Sequence, residues 1–395
     1  MLTGALAGVA ASAFLLPLDI VTSVRVTHPW LRYGLPLAGL AVGFLYHAYG
    51  KRVAAGHLLI FEEIQRPQTV LPARMAPLVF IGTVFTHLCG GSAGREGAAV
   101  QVSAALADQL SRPFRLTPRE RTVLLMMGSG AGFGAAVGAP WAGVLFGMEV
   151  VAGGRFRLQV LPQCLLASLI AFLTTRFLSA PHIEMGFITV PPFSMALLFS
   201  VLVAGVSFGL AARGFAAFTH LIERLLARSF IRDLWKPFVG GCVLVLLFKW
   251  EGTLRYCGLG LNIIQRALER PVGFRDPLLK AFFTSLTVGS GFKGGEFIPL
   301  VFVGTTLGSA LSSVLPAAVG ILGALGFAAV FAGAANTPFA CTVMAMELFG
   351  WRIGPYALLA CALSFLVSGR HGIYRGQPLP RKKWDPLTSV FPTKL

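Results

Sequence analysis

Charged residues are scarce in this chain, and acidic residues are the scarcest of them. Of 395 residues, 12% are charged and 55% are hydrophobic, and there are only 16 aspartates and glutamates against 33 lysines and arginines. A soluble domain carries about twice that charged fraction, so the composition argues against a soluble protein. No linker or low-complexity stretch divides the chain. The sequence therefore predicts a polytopic, multi-pass membrane protein in the lipid bilayer.

Paired cysteines and a cleavable leader are also missing. The six cysteines stand singly in apolar surroundings without a CxxC pair, so we expect no disulfide, no metal and no cofactor. The first apolar run contains Pro17 and Asp19 and leads straight into more membrane sequence, unlike a signal peptide. Because the chain starts abruptly at this run, a missing N-terminal element stays open.

The net charge of +17 is concentrated between apolar segments. No nucleic-acid-binding motif accompanies the basic residues, so we expect no nucleic-acid partner. The bias of lysine and arginine toward cytoplasmic loops explains the pattern instead and places these loops, with the C-terminus, in the cytoplasm. The clusters are Lys51-Arg52, Arg112/Arg115/Arg119/Arg121, Arg224/Arg228/Arg232 and Arg381-Lys382-Lys383.

Some apolar runs are too short for a simple span. A bilayer needs about 20 apolar residues per helix, and residues 97–110 and 279–289 fall short, while 122–150 is broken by glycines and Pro140. Such interruptions predict helices that stop inside the membrane, where irregular backbone lines a cavity or is buried in protein. The runs that are long enough are 3–24, 157–178, 190–215 and 353–369.

The sequence partly matches itself after a shift of 198 residues, about half its length. One offset serves two separate regions, which predicts two homologous halves, 1–195 and 196–395. The matches are Gly91-Ser92 with Gly289-Ser290, Arg95 with Lys293, Gly97 with Gly295, Pro140-Trp141-Ala142 with Pro338-Phe339-Ala340, and Met148-Glu149 with Met346-Glu347.

Two glycine-rich segments, GGSAGREG (90–97) and GSGFKGGEFIP (289–299), are the candidates for a central site. Repeated halves with broken helices are typical of transporters and channels whose site lies between the halves. Glycines let the chain turn sharply into a helix whose first amides are unpaired and bind an anion. Close packing of small residues would explain the glycines, but not the glutamate in each segment.

These segments, in this order along nearly the whole chain, resemble the CLC family of anion channels and anion/proton antiporters. The resemblance implies that Glu96 is the gating glutamate, that Gly295 to Pro299 supply backbone amides, and that Tyr374 points its hydroxyl at the anion. It implies an all-α CLC fold with two inverted halves around a central anion site, and a homodimer with one pathway per subunit. Since Leu395 follows shortly after Tyr374, we expect no cytoplasmic regulatory domain.

The details are similar to the fluoride-exporting CLC-F branch. AGHLLIFEEI (55–64) replaces the usual G-S-G-I-P segment, glutamate precedes Phe297, and Val150 stands where many antiporters carry a proton-passing glutamate. The branch implies a fluoride/proton antiporter driven by the proton gradient, in the bacterial inner membrane. His57 stands where the branch commonly has Asn or Met, Leu58 where it often has Asn, and Ile298 where it often has Thr.

Other functions stay open beside this one. A chloride-selective CLC exchanger or a passive anion channel is the alternative. A membrane enzyme using Glu96 and Glu296 as an acid/base pair has no metal cluster, nucleophile or cofactor motif in its favour, so we expect no enzyme.

Each candidate side chain also has a structural interpretation. Glu96 gates the anion or pairs with Arg95, Glu296 relays protons or stays neutral and hydrogen-bonded, and Glu149 and Glu347 cap neighbouring backbone. Tyr374 contacts the anion or lies at the membrane interface, and aromatic edges can face an anion or fill a core. Beside Glu96 and Glu296, the predicted anion-binding residues are Tyr374, Phe297, Ile298, Gly94, Arg95, Gly97, His57, Leu58 and Phe61.

Overall fold

The computed structural model describes residues 1–151, 158–370 and 372–377, and within them every regular element is a helix. The predicted all-α fold is confirmed; the basic tail at Arg381-Lys382-Lys383 lies outside the described residues. The first eight α-helices are α1 Leu2–Thr27, α2 Leu35–Tyr49, α3 His57–Gln65, α4 Met75–Leu88, α5 Glu96–Asp108, α6 Pro118–Val137, α7 Pro140–Glu149 and α8 Leu161–Phe177. The others are α9 Met195–Arg228, α10 Lys236–Glu251, α11 Leu261–Glu269, α12 Arg275–Gly289, α13 Phe297–Leu311, α14 Val319–Ala335, α15 Pro338–Phe349 and α16 Gly354–Val367.

Within the part of the chain that the structure describes, three stretches are long and apolar enough to cross a membrane: α1, Leu158–Phe177 and α9. Two sequence expectations are wrong in extent. The run 353–369 holds only the 14 residues of α16, about 21 Å of helix, because the residues before Gly354 form a 3-10 turn. Helix α9 continues to Arg228, so Arg224 and Arg228 lie on a helix rather than in a loop.

The predicted broken helices are present. The run 122–150 divides into α6 and α7 at Gly138, whose φ of 82° lies in the left-handed region, followed by Pro140 at the first turn of α7. Helix α5 spans 13 residues and α12 spans 15, each too short to cross a bilayer core of about 30 Å at 1.5 Å per residue.

Glu149 and Glu347 join α7 to α15 through hydrogen bonds to backbone, as the structural interpretation predicts. The Glu149 carboxylate accepts from the backbone N–H groups of Phe339 and Ala340 at 3.1 and 2.8 Å, at the start of α15. Glu347 accepts from Trp141 and Ala142 at 3.0 and 2.8 Å, at the start of α7. Each carboxylate therefore caps the helix that carries the other one, where amides are otherwise unpaired.

The repeat register needs a correction at the glycine-rich segments. Helices α7 and α15 begin 198 residues apart, as the sequence match predicts. Helices α5 and α13 begin at Glu96 and Phe297, which are 201 residues apart, because the first half holds three more residues between these starts. Gly94 therefore corresponds to Gly295, and Glu96 corresponds to Phe297 rather than to Glu296. The division into homologous halves stays a prediction.

Candidate anion site

The two glycine-rich segments meet directly. Gly94 and Gly295 form an isolated antiparallel bridge, in which each N–H donates to the other residue's carbonyl, at 2.6 and 2.7 Å. A Cβ on Gly97 would lie 3.1 Å from Gly295 Cα, and one on Gly94 would lie 3.1 Å from the backbone nitrogen of Ile298. Only glycine permits this approach, and it brings the first turns of α5 and α13 together, with the positive ends of both helix dipoles.

Glu96 is the first residue of α5 and is fully buried. Its Oε2 accepts from the Arg95 backbone N–H at 3.1 Å, so the side chain folds back over the start of its own helix. The predicted pairing with Arg95 is loose: Oε1 lies 3.5 Å from Arg95 Nε, and neither atom has a hydrogen-bond partner among the described residues. The carboxylate thus occupies a helix N-terminus where an anion would bind.

Glu296 lies across the bridge, immediately before α13. Its Oε2 is buried and has no hydrogen-bond partner among the described residues, and a Cβ on Gly97 would lie 3.7 Å from it. This oxygen does not make the hydrogen bond to a neighbouring helix that the structural alternative requires, and the role of Glu296 stays a prediction. A buried, unpartnered oxygen beside the first turn of α5 is typical of a functional rather than a packing role.

His57 brings a third helix to the same point. It begins α3, after Gly56 turns the chain with a φ of 56°. Its Nδ1 bonds to the Gln101 side-chain amide at 3.1 Å, and its Cε1 would lie 3.4 Å from a Cβ on Gly97. Nε2 is buried and has no partner among the described residues. If the amide nitrogen of Gln101 donates to Nδ1, the proton of a neutral His57 is on Nε2, which leaves a free donor at the site.

Tyr374 and Phe61 complete this side. The His57 and Tyr374 ring centroids lie 4.7 Å apart, and the Phe61 centroid lies 6.0 Å from Tyr374 and 6.4 Å from His57. Leu58 packs against Gly376, just beyond Tyr374. The predicted residues His57, Leu58, Phe61 and Tyr374 therefore form one group of side chains.

Phe297 and Ile298 belong to the site through their backbone only. The Phe297 ring is 1% exposed and packs edge-on against Phe133 and Phe331 at 5.5 and 4.7 Å. Ile298 is fully buried. The structure does not bring the Phe297 ring to Tyr374, and it does bring the amide end of α13 to the bridge.

A small cavity opens beside the group and contains residues that the sequence did not predict. Its volume is about 160 Å³, and His57, Glu296 and Tyr374 line it together with Lys293 and Glu223. Lys293 Nζ stands 4.2 Å above the Tyr46 ring. The sequence analysis did not single out Glu223, which lies within α9; the His220–Glu223 spacing on a helix was the available signal.

Helix α9 holds the segment that carries Tyr374. His220 Nε2 bonds to the Gly372 carbonyl at 3.0 Å, while Nδ1 bonds to Glu223 Oε2 at 3.2 Å. Arg375 donates to the same Glu223 oxygen. The residues on both sides of Tyr374 are therefore fixed to one turn of α9, and this fixes the position of the phenol.

Comparison with known proteins gives one family for this chain. The sequence pattern of the family described as "Voltage gated chloride channel" matches residues 38–369. The "Chloride/fluoride channel protein" of Pseudomonas syringae pv. tomato (strain ATCC BAA-871 / DC3000) is 45% identical over 97% of this chain and 86% of that protein. The "Voltage-gated ClC-type chloride channel ClcB" of Salmonella typhi is 28% identical over 90% of this chain and 89% of that protein.

Solved structures of CLC proteins resemble this chain over most of its length. A CLC-type fluoride/proton antiporter superposes with a TM-score of 0.92 at 34% identity, over 95% of both chains. A slow cyanobacterial Cl⁻/H⁺ antiporter superposes with a TM-score of 0.80 at 18% identity, over 93% of this chain and 92% of that one, which shows the fold alone. With the family pattern across most of its length, the CLC fold, and two half-helices meeting at a glycine bridge, this chain belongs to the voltage gated chloride channel family, the CLC family.

Proposed function

We propose that the protein is a fluoride/proton antiporter that exports fluoride and draws its energy from the inward proton gradient. The observation that carries this proposal is a pair of carboxyls on either side of the Gly94–Gly295 bridge, the fully buried Glu96 and the partly buried Glu296. Each has a buried oxygen without a hydrogen-bond partner among the described residues. The names of the 45%-identical relative and of the 34%-identical solved structure support the choice of fluoride and protons.

The anion is bound by hydrogen-bond donors rather than by a cation. The amides at the starts of α5 and α13, including Gly97 and Ile298, supply partial positive charge at the bridge. His57 Nε2 and the Tyr374 hydroxyl add donors on the side of the small cavity. Fluoride accepts hydrogen bonds more strongly than chloride, so a site built from donors favours it.

The two carboxyls move the proton. An ionised Glu96 occupies the start of α5 and excludes the anion, while a protonated Glu96 loses its attraction to the helix dipole, swings away and admits fluoride. Glu296 passes the proton from Glu96 to the cavity side, where it stands with Lys293 and Glu223. This replaces the glutamate that other antiporters carry where Val150 stands.

The proposed oligomeric state, repeat and membrane orientation are those of the family. We propose a homodimer in the bacterial inner membrane, two homologous halves dividing near residue 195, and a cytoplasmic position for the basic segments at Lys51-Arg52 and Arg112 to Arg121. The number of described α-helices supports the division, with eight ending before residue 178 and eight beginning at Met195. We propose no enzymatic activity for this site.

The rival function is chloride exchange or passive anion conduction. It is favoured by Ile298, an apolar side chain at a position where the fluoride branch often has Thr, and by the chloride names of the 28%-identical relatives. Ile298 still presents its backbone nitrogen at the bridge, since a Cβ on Gly94 would lie 3.1 Å from it, so the replacement leaves this donor in place.

Proton pumping driven by fluoride tests the proposal. Liposomes containing the protein are given a fluoride gradient, and the internal pH is recorded for the wild type, Glu96→Gln and the surface variant Glu184→Gln. We expect uphill proton movement in the wild type and in Glu184→Gln and none in Glu96→Gln. Pumping that survives in Glu96→Gln would show that another group couples the proton.

A further inference from the structure

A second, larger cavity lies away from the candidate anion site. It measures about 670 Å³ and lies where α1 ends, where α10 gives way to the loop 254–260, and where α11 begins. Helix α2 begins near it and ends at Tyr49, beside Lys51-Arg52, and α10 packs antiparallel to α2, since Gly39 contacts Pro237 and Gly241 contacts Pro36. The cavity therefore lies on the face opposite to the Lys51-Arg52 cluster.

This cavity is strongly basic. Arg25, Arg32, Arg255 and Arg266 line it, and none of the described lining residues is acidic. Arg255 is paired with Asp276 at 2.7 Å, but the other three arginines have no carboxylate partner among the described residues. Arg32 donates to the Tyr33 hydroxyl at 3.0 Å, but no described carboxylate neutralises any of these three charges. Like charges around one cavity repel one another unless an anion lies between them.

Arg25 is held in place while one of its nitrogens stays unused. Its guanidinium lies against Gly258, where an added Cβ would come within 2.6 Å of it, and the arginine side chain also lies close to Gly90. Its Nε is buried and has no hydrogen-bond partner among the described residues. The wall behind it is rigid, because the buried Lys280 donates to the Gly258 carbonyl at 2.6 Å.

Exposed aromatic residues place the cavity at the level of lipid headgroups. Trp30 and Tyr33 follow α1 and are 64% and 51% exposed, and Trp250 near the end of α10 is 81% exposed. Tryptophan and tyrosine collect at the boundary between acyl chains and water. The remaining lining is largely apolar, and Val26 and Leu254 are themselves exposed.

We propose that this cavity binds the phosphate of an anionic phospholipid from the leaflet on that face. The guanidinium groups of Arg25, Arg32 and Arg266 donate to the phosphate oxygens, and the apolar walls take the upper part of an acyl chain. A zwitterionic lipid is disfavoured, because its ammonium group would meet arginines and no carboxylate in the described lining. The lipid holds the end of α1 against the loop 254–260.

Native mass spectrometry of the purified protein tests this site. The protein is taken from membranes containing phosphatidylglycerol and phosphatidylcholine, and bound lipid is counted for the wild type, Arg25→Gln, Arg266→Gln and the nearby exposed control Arg270→Gln. We expect retention of phosphatidylglycerol over phosphatidylcholine, reduced about tenfold in Arg25→Gln and Arg266→Gln and unchanged in Arg270→Gln. Equal retention in all four proteins, or no preference between the lipids, overturns the proposal.

Two further measurements separate other occupants of the cavity. If inorganic phosphate raises the melting temperature of the delipidated wild type but not of Arg25→Gln, and no phosphatidylglycerol is retained, the ligand is a free phosphate and the lipid is excluded. If Arg25→Gln slows anion efflux equally in neutral and in anionic membranes, the arginines serve passage of the transported anion, and the lipid site is again excluded. If Arg25→Gln slows anion efflux in anionic membranes only, the result supports the proposed phospholipid site.

Discussion

At the scale of single residues, the two central glutamates are not equivalent. Glu96 is the first residue of α5 and folds over its amides, whereas Glu296 precedes α13 and turns toward the cavity with His57 and Tyr374. In the predicted repeat, the register set by the starts of α5 and α13 pairs Arg95 with Glu296 and leaves Glu96 opposite Phe297. The asymmetry gives the two carboxyls different roles, one at the anion position and one at the access route of the proton.

Glu296→Gln tests the role assigned to Glu296 as the carboxyl on the proton's access route. Glutamine keeps the volume and can still form hydrogen bonds, but it has no group that titrates, so we expect fluoride-driven proton movement to fall at least about tenfold while the protein stays folded. Ion and pH electrodes on proteoliposomes measure it, with Glu184→Gln as the surface control. A Glu296→Gln protein that exchanges at the wild-type rate and stoichiometry would make Glu296 a structural residue.

Gly97→Ala tests the glycine contact. An added methyl would lie 3.1 Å from Gly295 Cα and 3.4 Å from His57 Cε1, so it pushes α5 away from α13 and from the histidine donor. We expect a large loss of fluoride efflux with a folded protein. Gly186→Ala is the matched control, because nothing lies within 4 Å of its added methyl; equal efflux from both variants would contradict the account.

At the scale of elements, the paired caps hold the short helices in place. Helices α7 and α15 are joined by four hydrogen bonds through the carboxyl groups of Glu149 and Glu347. A segment of 10 or 12 residues has little stability of its own, so its position depends on such contacts.

Glu149→Gln should destabilise the protein more than Glu347→Gln. Glutamine replaces one acceptor oxygen with a donor and leaves one amide unpaired, at a cost of about 1–3 kcal/mol. Glu149 is fully buried, whereas Glu347 is partly exposed and water can take over there. The temperature at which each variant loses its monodisperse peak shows which of the two is less stable. A larger loss of stability in Glu347→Gln would contradict the prediction.

Some features of these helices could be predicted from the sequence, and others could not. Glycines, Pro140 and the short apolar runs predict the broken helices, because backbone breaks depend on local residue types. The alignment with a single offset is wrong by three residues at the candidate site, because the chain from α5 to α7 is three residues longer than the chain from α13 to α15. Composition does not reveal where such an insertion lies. The side-chain group of His57, Phe61 and Tyr374 depends on contacts between α3 and the segment beyond α16, which no local pattern encodes.

At the scale of the whole molecule, the fold brings three helix starts to one buried point. Helices α3, α5 and α13 begin at His57, Glu96 and Phe297, and α9 fixes the Tyr374 segment beside them. His57, Glu96 and Glu296 contribute buried atoms without hydrogen-bond partners among the described residues. Such groups are costly in a membrane and are kept where they bind or move charge.

The central claim is fluoride export coupled to protons, and one measurement tests it most directly. Proteoliposomes loaded with equal concentrations of fluoride and chloride are diluted into ion-poor buffer, and both anions and the internal pH are followed together. The account predicts fluoride efflux much faster than chloride efflux, with proton uptake in a fixed ratio to fluoride. Chloride efflux as fast as fluoride efflux, or fluoride efflux without proton movement, would contradict it.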